Sequence, residues 1–216
     1  SCKNNYNDLP EFDIKWEDKK SICIFRGNAT GCGITIDTNM RLKAAHLSYE
    51  WSKSGELKNK DDLDVLDVKL TGFNNRRPKI DDDKLEYLDI KKFNYLKIPN
   101  IKDYKNYKDY KKANDKYKEK VFKTPYEQSK HKYILNIDGH VKAFRLGNEL
   151  RMGSVILLVD SPYTLWFQDK LEEYEHYVPV KNDLSNLKNR LQWCLDNDDK
   201  CKRIAQSAIK FYNKHL

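Results

Sequence analysis

The sequence contains no long apolar run, which excludes the usual helical membrane span. None of its apolar stretches reaches the roughly 18 residues that such a span needs, and the first residues, SCKNNYNDLPEF, lack the apolar core of a signal peptide. The five cysteines include no CxxC pair, so a structural zinc site is not expected. A GxGxxG dinucleotide fingerprint is missing as well. These absences leave the cellular location open.

Charged residues, by contrast, are abundant. They make up 34% of the chain, and 41 Lys and Arg against 33 Asp and Glu give a formal charge of +8. A positive balance suits an anionic ligand or partner, but the lysines are scattered among acids, which is typical of a solvated surface. With 216 residues, 39% of them hydrophobic, the chain can bury a substantial core in one large domain or two small ones.

The cysteines allow two interpretations. Cys23 lies inside an apolar stretch and is expected to be a buried, small hydrophobic residue. Cys194 and Cys201 are seven positions apart in WCLDNDDKC and could approach one another. A disulfide in an oxidising compartment and two free thiols both remain open.

Residues 132–166 contain the most informative pattern. A short apolar run at 133–137 is followed by a candidate helix at 143–151 and an aliphatic run at 154–159. Continuous Val, Ile and Leu residues mark a strand that is buried on both faces, as parallel strands are. The pattern therefore predicts a βαβ unit.

The turn of this βαβ unit spans Asp138 to Arg145. Ligands of such units bind at the carboxyl ends of the strands, where a glycine admits a close approach and the next helix presents free N–H groups. Gly139 and the cations Lys142 and Arg145 fit that chemistry. The alternative is an ordinary βαβ unit in which Gly139 only makes the turn.

A second strand–loop–helix pattern precedes the first. Residues 21–25 are predicted to form a strand, residues 26–33 a loop with three glycines, and a helix follows from Asn39. Arg26, at the predicted strand end, has a planar fork that can pair two phosphate oxygens. The alternative for Arg26 is an ion pair with a neighbouring Asp.

Several blocks, taken in order, resemble glycosyltransferase family ninety, which contains the protein O-glucosyltransferases and capsule-associated xylosyltransferase-like proteins. The blocks are FRGNATGCG, NMRLKAAHLS, IDGHVKAFR, GSVILLVDSPYTLWF and HYVPVKNDLSNL, and they cover most of residues 16–50 and 121–216. Their order and spacing make the resemblance more specific than any single motif.

The resemblance implies an α/β fold, a Rossmann-like parallel sheet flanked by helices, similar to the C-terminal lobe of the two-lobed GT-B glycosyltransferases. Residues 1–20 would be a leader and residues 21–216 the donor-binding domain, with a variable insertion at about 76–120. It further implies a UDP-sugar donor, UDP-glucose or UDP-xylose, and a protein or glycan hydroxyl as acceptor. No metal or other cofactor is implied. The acceptor-side base would come from an N-terminal catalytic lobe of a longer parent.

In family-ninety enzymes the arginine of the FRG block contacts the donor diphosphate, and it stands here as Arg26. The resemblance therefore implies a donor site made of two loops and a closing turn. Its residues are Arg26, Gly27, Gly139, His140, Val141, Lys142, Ala143, Phe144, Arg145 and Ser161, with Ser21, Arg41 and Asp160 as further candidates.

Other residues invite competing functions. His46 and His176 are of the type most often used as a general base, but their apolar neighbours favour hydrogen-bonded core residues. The acidic pairs and runs at 61–62 and 81–83 lie away from both glycine loops and are interpreted as solvated. No catalytic residue is assigned. A non-catalytic nucleotide- or polyanion-binding module is the main alternative function.

The segment DYKNYKDYKKANDKYKEK, within residues 76–120, raises nucleic acid as another partner. Aromatics interleaved with Lys can stack on bases and follow a phosphate backbone. The tyrosines are spaced too irregularly for one apolar stripe, however, which favours a peripheral insertion, partly an amphipathic helix.

Overall fold

Residues 12–31, 33–73, 79–81, 84–86 and 88–216 are described by a computed structural model. Cys2, Cys32, Asp82 and Asp83 lie outside these residues. The strands are β1 (Lys20–Ala29), β2 (Leu66–Phe73), β3 (Lys79–Asp81), β4 (Lys84–Glu86), β5 (His131–Asn136), β6 (Val155–Val159) and β7 (Val178–Val180). The helices are α1 (Met40–Ser54), α2 (Tyr107–Val121), α3 (Pro125–Ser129), α4 (Arg145–Leu150), α5 (Leu187–Asp196) and α6 (Asp198–His215).

Five strands form one parallel sheet in the order β2-β1-β5-β6-β7, while β3 and β4 form a separate antiparallel pair. The predicted α/β class, a parallel sheet flanked by helices, is confirmed. From β1 the chain moves to β2 on one side and later to β5 on the other side. The strand order therefore reverses between β1 and β5, and ligands of open α/β sheets bind at the carboxyl end of such a switch point.

Both faces of the sheet are buried, which explains the aliphatic run that forms β6. Alternate residues of β1 separate the two cores: Cys23 and Phe25 belong to one apolar cluster and Ile24 to the other. Helices α1 and α5 supply buried residues to the first cluster, α4 supplies them to the second, and α6 contributes to both. Because all five strands are parallel, their carboxyl ends lie at one edge of the sheet.

A buried lysine stabilises the opposite, amino-terminal edge. Lys19 Nζ donates hydrogen bonds to the backbone carbonyls of Ser129 and Met152, the second at 3.0 Å. These carbonyls lie just before β5 and β6, so one ammonium group joins three chain segments. Burial lowers the pKa of Lys19 to about 8.

Side chains cover the two outer edges of the sheet. Ser48 Oγ donates to Leu66 O at 2.8 Å and accepts from Val68 N at 3.0 Å, and Tyr117 Oη donates to Leu70 O at 2.6 Å. These hydroxyls take positions at β2 that another strand would occupy. At β7, Pro179 carries no N–H, and its carbonyl accepts from Arg190 Nε at 3.0 Å.

The first strand is longer than predicted. Residues 26–29 continue β1 by pairing with β2, from Arg26 with Lys69 to Ala29 with Phe73, and the loop begins only at Thr30. The expectation that Arg26 and Gly27 start a loop is therefore wrong. Glycine was interpreted as a break in the chain, whereas the parallel ladder tolerates Gly27 in mid-strand.

The segment at 76–120 is not peripheral along its whole length. Leu88, Phe93 and Ile98 are buried and belong to the same apolar cluster as Phe25. The predicted helix is α2, and its Tyr117 caps β2 as described above. The peripheral interpretation is wrong for residues 88–98, because isolated apolar residues within a charged sequence gave no periodic signal.

The cysteine alternatives are now settled for the described residues. Cys23, Cys194 and Cys201 are buried, and all three are free thiols. The Cys201 thiol donates to the Cys194 carbonyl at 3.6 Å. Among the helices of the described ranges, none has the length and apolar character required to cross a bilayer.

The burial of Phe93 predicts a large effect of its truncation. Phe93→Ala is expected to lower the free energy of unfolding by about 3–5 kcal/mol, because it leaves a cavity in the main core. Ile101→Ala, in the same segment but 48% exposed, should change it by less than about 1 kcal/mol. Urea denaturation followed by circular dichroism measures both. Equal small effects would show that the segment does not pack into the core.

Candidate functional site

An open cleft of about 320 Å³ lies at the carboxyl edge of the sheet. It is bounded by the residues that follow β1, β5, β6 and β7 and by the start of α1. The lining residues are Thr30, Gly31, Asp37, Thr38, Asn39, Met40, Ile137, Asp138, Gly139, Val159, Asp160, Ser161, Pro162, Tyr163, Asn182 and Asp183. The cleft therefore occupies the switch point between β1 and β5.

Arg41 holds the two sides of this switch point together. Backbone pairing between β1 and β5 ends at Ile24 with Ile134, and the strands separate beyond it. Across the gap, Arg41 Nη1 donates to Asn28 O at 3.0 Å, Nη2 to Ile137 O at 2.9 Å and Nε to the carbonyl of Asp138 at 3.0 Å. Its side chain is buried, and burial, followed by the charge of Arg145, lowers the pKa of Arg41 to about 10.

Asn39 fixes the helix that carries Arg41. As the N-cap of α1, its Oδ1 accepts from the amides of Arg41 and Leu42, at 3.1 and 3.2 Å. Its Nδ2 donates to Gly33 O at 3.0 Å, which ties the loop after β1 to the same helix. Asn39 and Arg41, both in the NMRLKAAHLS block, therefore position the loops that follow β1 and β5.

Gly139 requires its lack of a side chain. A Cβ atom there would lie 2.5 Å from Thr30 Oγ1 and 3.4 Å from Arg41 Nη2. Thr30 Oγ1 itself accepts from Arg41 Nη1 at 2.5 Å. The two predicted loops thus meet in contact, with glycine at the point of closest approach.

The loop after β5 closes on its own aspartate. Asp138 Oδ1 accepts from Ala143 N at 2.8 Å, and Gly139 N donates to Val141 O at 3.2 Å. Lys142 is buried, with Nζ 3.5 Å from Asp138 Oδ2, and neither atom has a hydrogen-bond partner among the described residues. The predicted cation Lys142 is therefore turned inwards against Asp138.

Arg145 lies along the FRG block. Its Nη1 donates to Arg26 O at 2.7 Å, and its guanidinium lies 5.4 Å from the centre of the Phe25 ring. A Cβ at Gly27 would lie 3.2 Å from Arg145 Nη2, so the glycine leaves room for this side chain. Phe25, Arg26 and Gly27 together cradle the arginine at the start of α4.

The Arg26 side chain has a different role from its carbonyl. Its guanidinium is buried, forms an ion pair with the Asp67 carboxylate and donates from Nη1 to Asp67 O at 2.7 Å. The structure thus shows the ion pair with a neighbouring aspartate that was the alternative role of Arg26. Diphosphate contact by Arg26 stays a prediction.

Glu149 is a buried carboxylate behind the cleft. Its Oε2 accepts from Asn136 Nδ2, the last residue of β5, at 2.6 Å. Burial raises the pKa of Glu149 to about 7, against the opposing charges of Arg145 and Arg41 and the bond from Asn136. The carboxylate lies one turn from Arg145 along α4.

The remaining predicted residues divide by position. Asp160 and Ser161 line the cleft, and Ser161 N donates to Asp160 Oδ1 at 2.9 Å. His140, Val141 and Phe144 are exposed on the loop, with Phe144 83% accessible.

Ser21 does not join this group. It lies eight residues before Ala29 in β1, about 26 Å away along an extended strand. This distance places it at the amino-terminal edge of the sheet, opposite the cleft.

Sequence reasoning did not find two of the four aspartates that line the cleft, Asp37 and Asp183. Asp37 and Asp183 line the cleft together with Asp138 and Asp160, while none of the described residues that line it is Lys or Arg. Asp183 follows β7, so its position after a strand was a usable signal. Asp37 carried no comparable pattern.

The two histidines of the sequence analysis lie elsewhere. His46 Nδ1 is 3.0 Å from Tyr95 Oη, and His176 Nδ1 accepts from Glu172 N at 3.0 Å. Within the described ranges no group of three His, Cys, Asp or Glu residues is arranged to hold a metal ion. Metal independence stays a prediction, as does the choice of donor.

A parallel sheet with a cleft at its switch point defines a Rossmann-like α/β lobe. The model for glycosyl transferase family 90 matches residues 71–216. The chain belongs to that family.

Relatives extend the match over the whole chain. It is 42% identical to the uncharacterized protein 179R of Invertebrate iridescent virus 6, over 100% of this chain and 17% of that protein. It is 36% identical to protein 035R of Invertebrate iridescent virus 3, over 95% and 16%. Protein O-glucosyltransferase 2 of Danio rerio is 40% identical over 40% of this chain and 17% of its own length. The chain thus spans less than a fifth of these relatives.

Arg41 is expected to be essential for the stability of the cleft. Arg41→Ala should lower the free energy of unfolding by about 3 kcal/mol or more, because it removes charge-assisted bonds to backbone carbonyls on both sides of the gap. Arg203→Ala, at an exposed position of α6, is the control and should have an effect near zero. Chemical denaturation measures both. A loss from Arg41→Ala no larger than the control would contradict the bridging role.

Glu149 should give stability a distinct pH dependence. The pKa of Glu149 is raised in the folded protein, so its ionisation does not affect the free energy of unfolding below about pH 4.5. Between about pH 4.5 and about pH 7 the ionisation lowers the free energy of unfolding increasingly, and above about pH 7 the loss is constant. Glu149→Gln should therefore stabilise the protein above pH 7, by up to about 3 kcal/mol relative to its effect at about pH 5. Unfolding free energies at several pH values test this, with the exposed Glu119→Gln as control. A pH-independent effect of Glu149→Gln would show that the carboxylate titrates normally.

Proposed function

We propose that this chain is the donor-binding lobe of a glycosyltransferase and binds a UDP-sugar, UDP-glucose or UDP-xylose, for transfer to a protein or glycan hydroxyl. The observation that carries the proposal is the cleft at the β1–β5 switch point in a chain of glycosyl transferase family 90. Relatives named as protein O-glucosyltransferases support the glucosyl donor.

The charges around the cleft suit the two parts of such a donor. A diphosphate needs cations and amides, because transfer of the sugar leaves negative charge on it. Arg145 stands at the start of α4, directly after the loop of residues 139–144, and Phe25 and Gly27 fix its guanidinium. We assign the diphosphate to this loop and to Arg145, which is not itself among the residues that line the cleft.

The aspartates that line the cleft suit the polyhydroxylated parts of the donor. Ionised carboxylates only accept hydrogen bonds, and ribose and hexose hydroxyls donate them. Asp160 and Asp183 follow neighbouring strands and line the cleft where hydroxyl groups of the donor would lie. The two carboxylates are thus placed to orient the sugar parts without adding positive charge.

The catalytic base is assigned to an N-terminal lobe in a longer parent protein. Transition-state stabilisation needs a positioned base in addition to a diphosphate clamp. The chain spans only 16–17% of the viral relatives, so their remaining length offers room for such a lobe. We therefore expect this chain alone to bind the donor without transferring its sugar.

Arg145→Ala is expected to raise the dissociation constant for UDP by a factor of about 10 to 100. Charge-assisted hydrogen bonds contribute roughly 1.5–3 kcal/mol each, and the first turn of a helix adds a favourable dipole. Isothermal titration calorimetry measures the change. The matched control is Arg151→Ala at the other end of α4, where the guanidinium lies over Phe12 and Tyr212. Equal affinity in the Arg145→Ala variant and the wild-type protein would remove Arg145 from the site.

Two further measurements separate the alternative functions. Titration with single-stranded DNA tests the nucleic-acid interpretation of the Tyr and Lys segment. Incubation with UDP-glucose and UDP-xylose, followed by assay of released UDP, tests turnover by the chain alone. Diphosphate binding without turnover, even when the longer parent is supplied, would favour a non-catalytic nucleotide- or polyanion-binding module. Steady turnover by this chain, abolished by one Asp or Glu substitution, would place the base within it.

A further inference from the structure

A row of exposed cations runs along one side of α6. The row, here called the α6 stripe, consists of Lys200, Arg203, Lys210 and Lys214. Their spacing of three, seven and four residues places them on one helix face, and the stripe is about 21 Å long at the rise of an α-helix. Among the described residues none of the four has an ion-pair partner, whereas Lys202 on the opposite side of α6 pairs with Glu17. The stripe is therefore a line of uncompensated positive charge.

The α6 stripe forms one wall of a groove. Two cavities of about 580 and 350 Å³ lie along it and share Glu175, Ser207 and Lys210. The facing wall is the loop of residues 172–176, which leads into β7, and Trp193 of α5 lies at one end. Neither cavity shares a lining residue with the cleft at the carboxyl edge of the sheet. The groove thus has the shape of a separate site for a linear chain.

The loop wall of the groove is held in place by strain and by hydrogen bonds. Tyr174 has a φ of 59°, in the left-handed region that residues other than glycine rarely adopt, and its amide donates to Tyr177 O at 2.7 Å. The Tyr174 ring packs edge-on against Trp193, with 5.1 Å between the ring centres. Ser207 Oγ donates to Glu175 Oε1 at 2.7 Å, which joins the loop to α6. Strain of this kind persists where the surrounding structure determines it, and it clusters at binding sites.

The charges that line the groove select the class of ligand. Besides the α6 stripe, its charged and titratable residues are Lys170, Glu172, Glu175, His176 and His215, while Asp199 at the start of α6 lines neither cavity. Five cations against two carboxylates favour a ligand with acidic groups. The two carboxylates would repel a ligand that is anionic at every unit, but they accept hydrogen bonds from hydroxyl groups. We propose that the groove binds an acidic oligosaccharide, whose sulfate or carboxylate groups pair with the cations and whose hydroxyls donate to Glu172 and Glu175.

Other polyanions fit the groove less well. A lipid surface needs apolar side chains exposed between the cations, whereas Ile204 and Phe211 of α6 are buried in the core. Nucleic acid needs ring faces on which its bases stack, but cations already lie over the rings of Tyr174 and Trp193. A chain of sugars requires neither feature.

The test is isothermal titration calorimetry with a heparin-derived hexasaccharide, a hyaluronan hexasaccharide and neutral maltohexaose. At least one acidic saccharide is expected to bind, and maltohexaose is not. The double variant Arg203→Ala/Lys210→Ala should raise the dissociation constant of the acidic saccharide about tenfold, because two exposed ion pairs are lost together. Circular dichroism verifies that the variant is folded.

A charge-matched control isolates the groove from the net charge of the protein. Lys188→Ala/Lys202→Ala also removes two cations, which pair with Glu56 and Glu17 outside the groove. It should change the dissociation constant by less than about a factor of two, because salt screens distant charges. Equal losses in the two double variants would show attraction to net charge alone and would overturn the site.

Tyr174→Gly tests the loop wall. The substitution removes the ring while glycine accepts the positive φ of this position, so the loop keeps its backbone conformation. It should weaken binding of the acidic saccharide about fivefold through the lost contact with the aromatic ring. Unchanged affinity in this variant would contradict a site that includes the loop.

An oligoglutamate peptide, single-stranded DNA and phosphatidylserine vesicles are titrated at the same ionic strength. The proposal expects each to bind more weakly than the acidic saccharide. If one of them binds more tightly and loses its affinity in Arg203→Ala/Lys210→Ala, the groove serves that class of ligand and the proposal is wrong. Failure of both acidic saccharides to bind would refute it as well. UDP binding should be the same in this double variant and the wild-type protein, so the donor site and the groove are judged separately.

Discussion

Two guanidinium groups take the place of strand pairing where β1 and β5 separate, and the candidate site depends on them. In a continued ladder the carbonyls of Arg26 and Asn28 would face β5. Here Arg145 and Arg41 bind those carbonyls instead. These two side chains bind the strand carbonyls at the gap between β1 and β5, and no further strand among the described residues fills this gap. The cleft exists because the sheet is held apart by side chains at this point and held together by Lys19 at the other edge.

The same arrangement has an energetic cost. Arg41 and Arg145 repel one another beside Phe25, and the Glu149 carboxylate is buried at the expense of its ionisation. Buried charges of this kind stabilise a fold weakly, because desolvation offsets their attraction. In the proposed function their value would lie in a rigid set of positive groups that reorganise little when a diphosphate binds. Sites of this type commonly give up stability for preorganisation.

The sequence was most informative where a pattern has one physical cause. The aliphatic run of β6 predicted a buried parallel strand, and the order of glycine loops located the carboxyl edge. It was less informative where the backbone and the side chain of one residue have different partners. In Arg26 the carbonyl accepts a hydrogen bond from Arg145, while the guanidinium forms an ion pair with Asp67. Backbone contacts of that kind leave no mark in residue identity. Glu149 was missed because its burial depends on tertiary packing.

The covered edges of the sheet limit its pairing with other extended polypeptide segments. Pro179 offers no donor on the free side of β7 and Arg190 occupies its acceptor, while Ser48 and Tyr117 occupy backbone positions along β2. A stray extended segment meeting either edge finds few groups to pair with, so strand exchange is discouraged in both directions. The chain covers only 16–17% of the length of its viral relatives, so most of their polypeptide lies outside it. Edges closed in this way let the lobe fold beside neighbouring chain without being drawn into a common sheet.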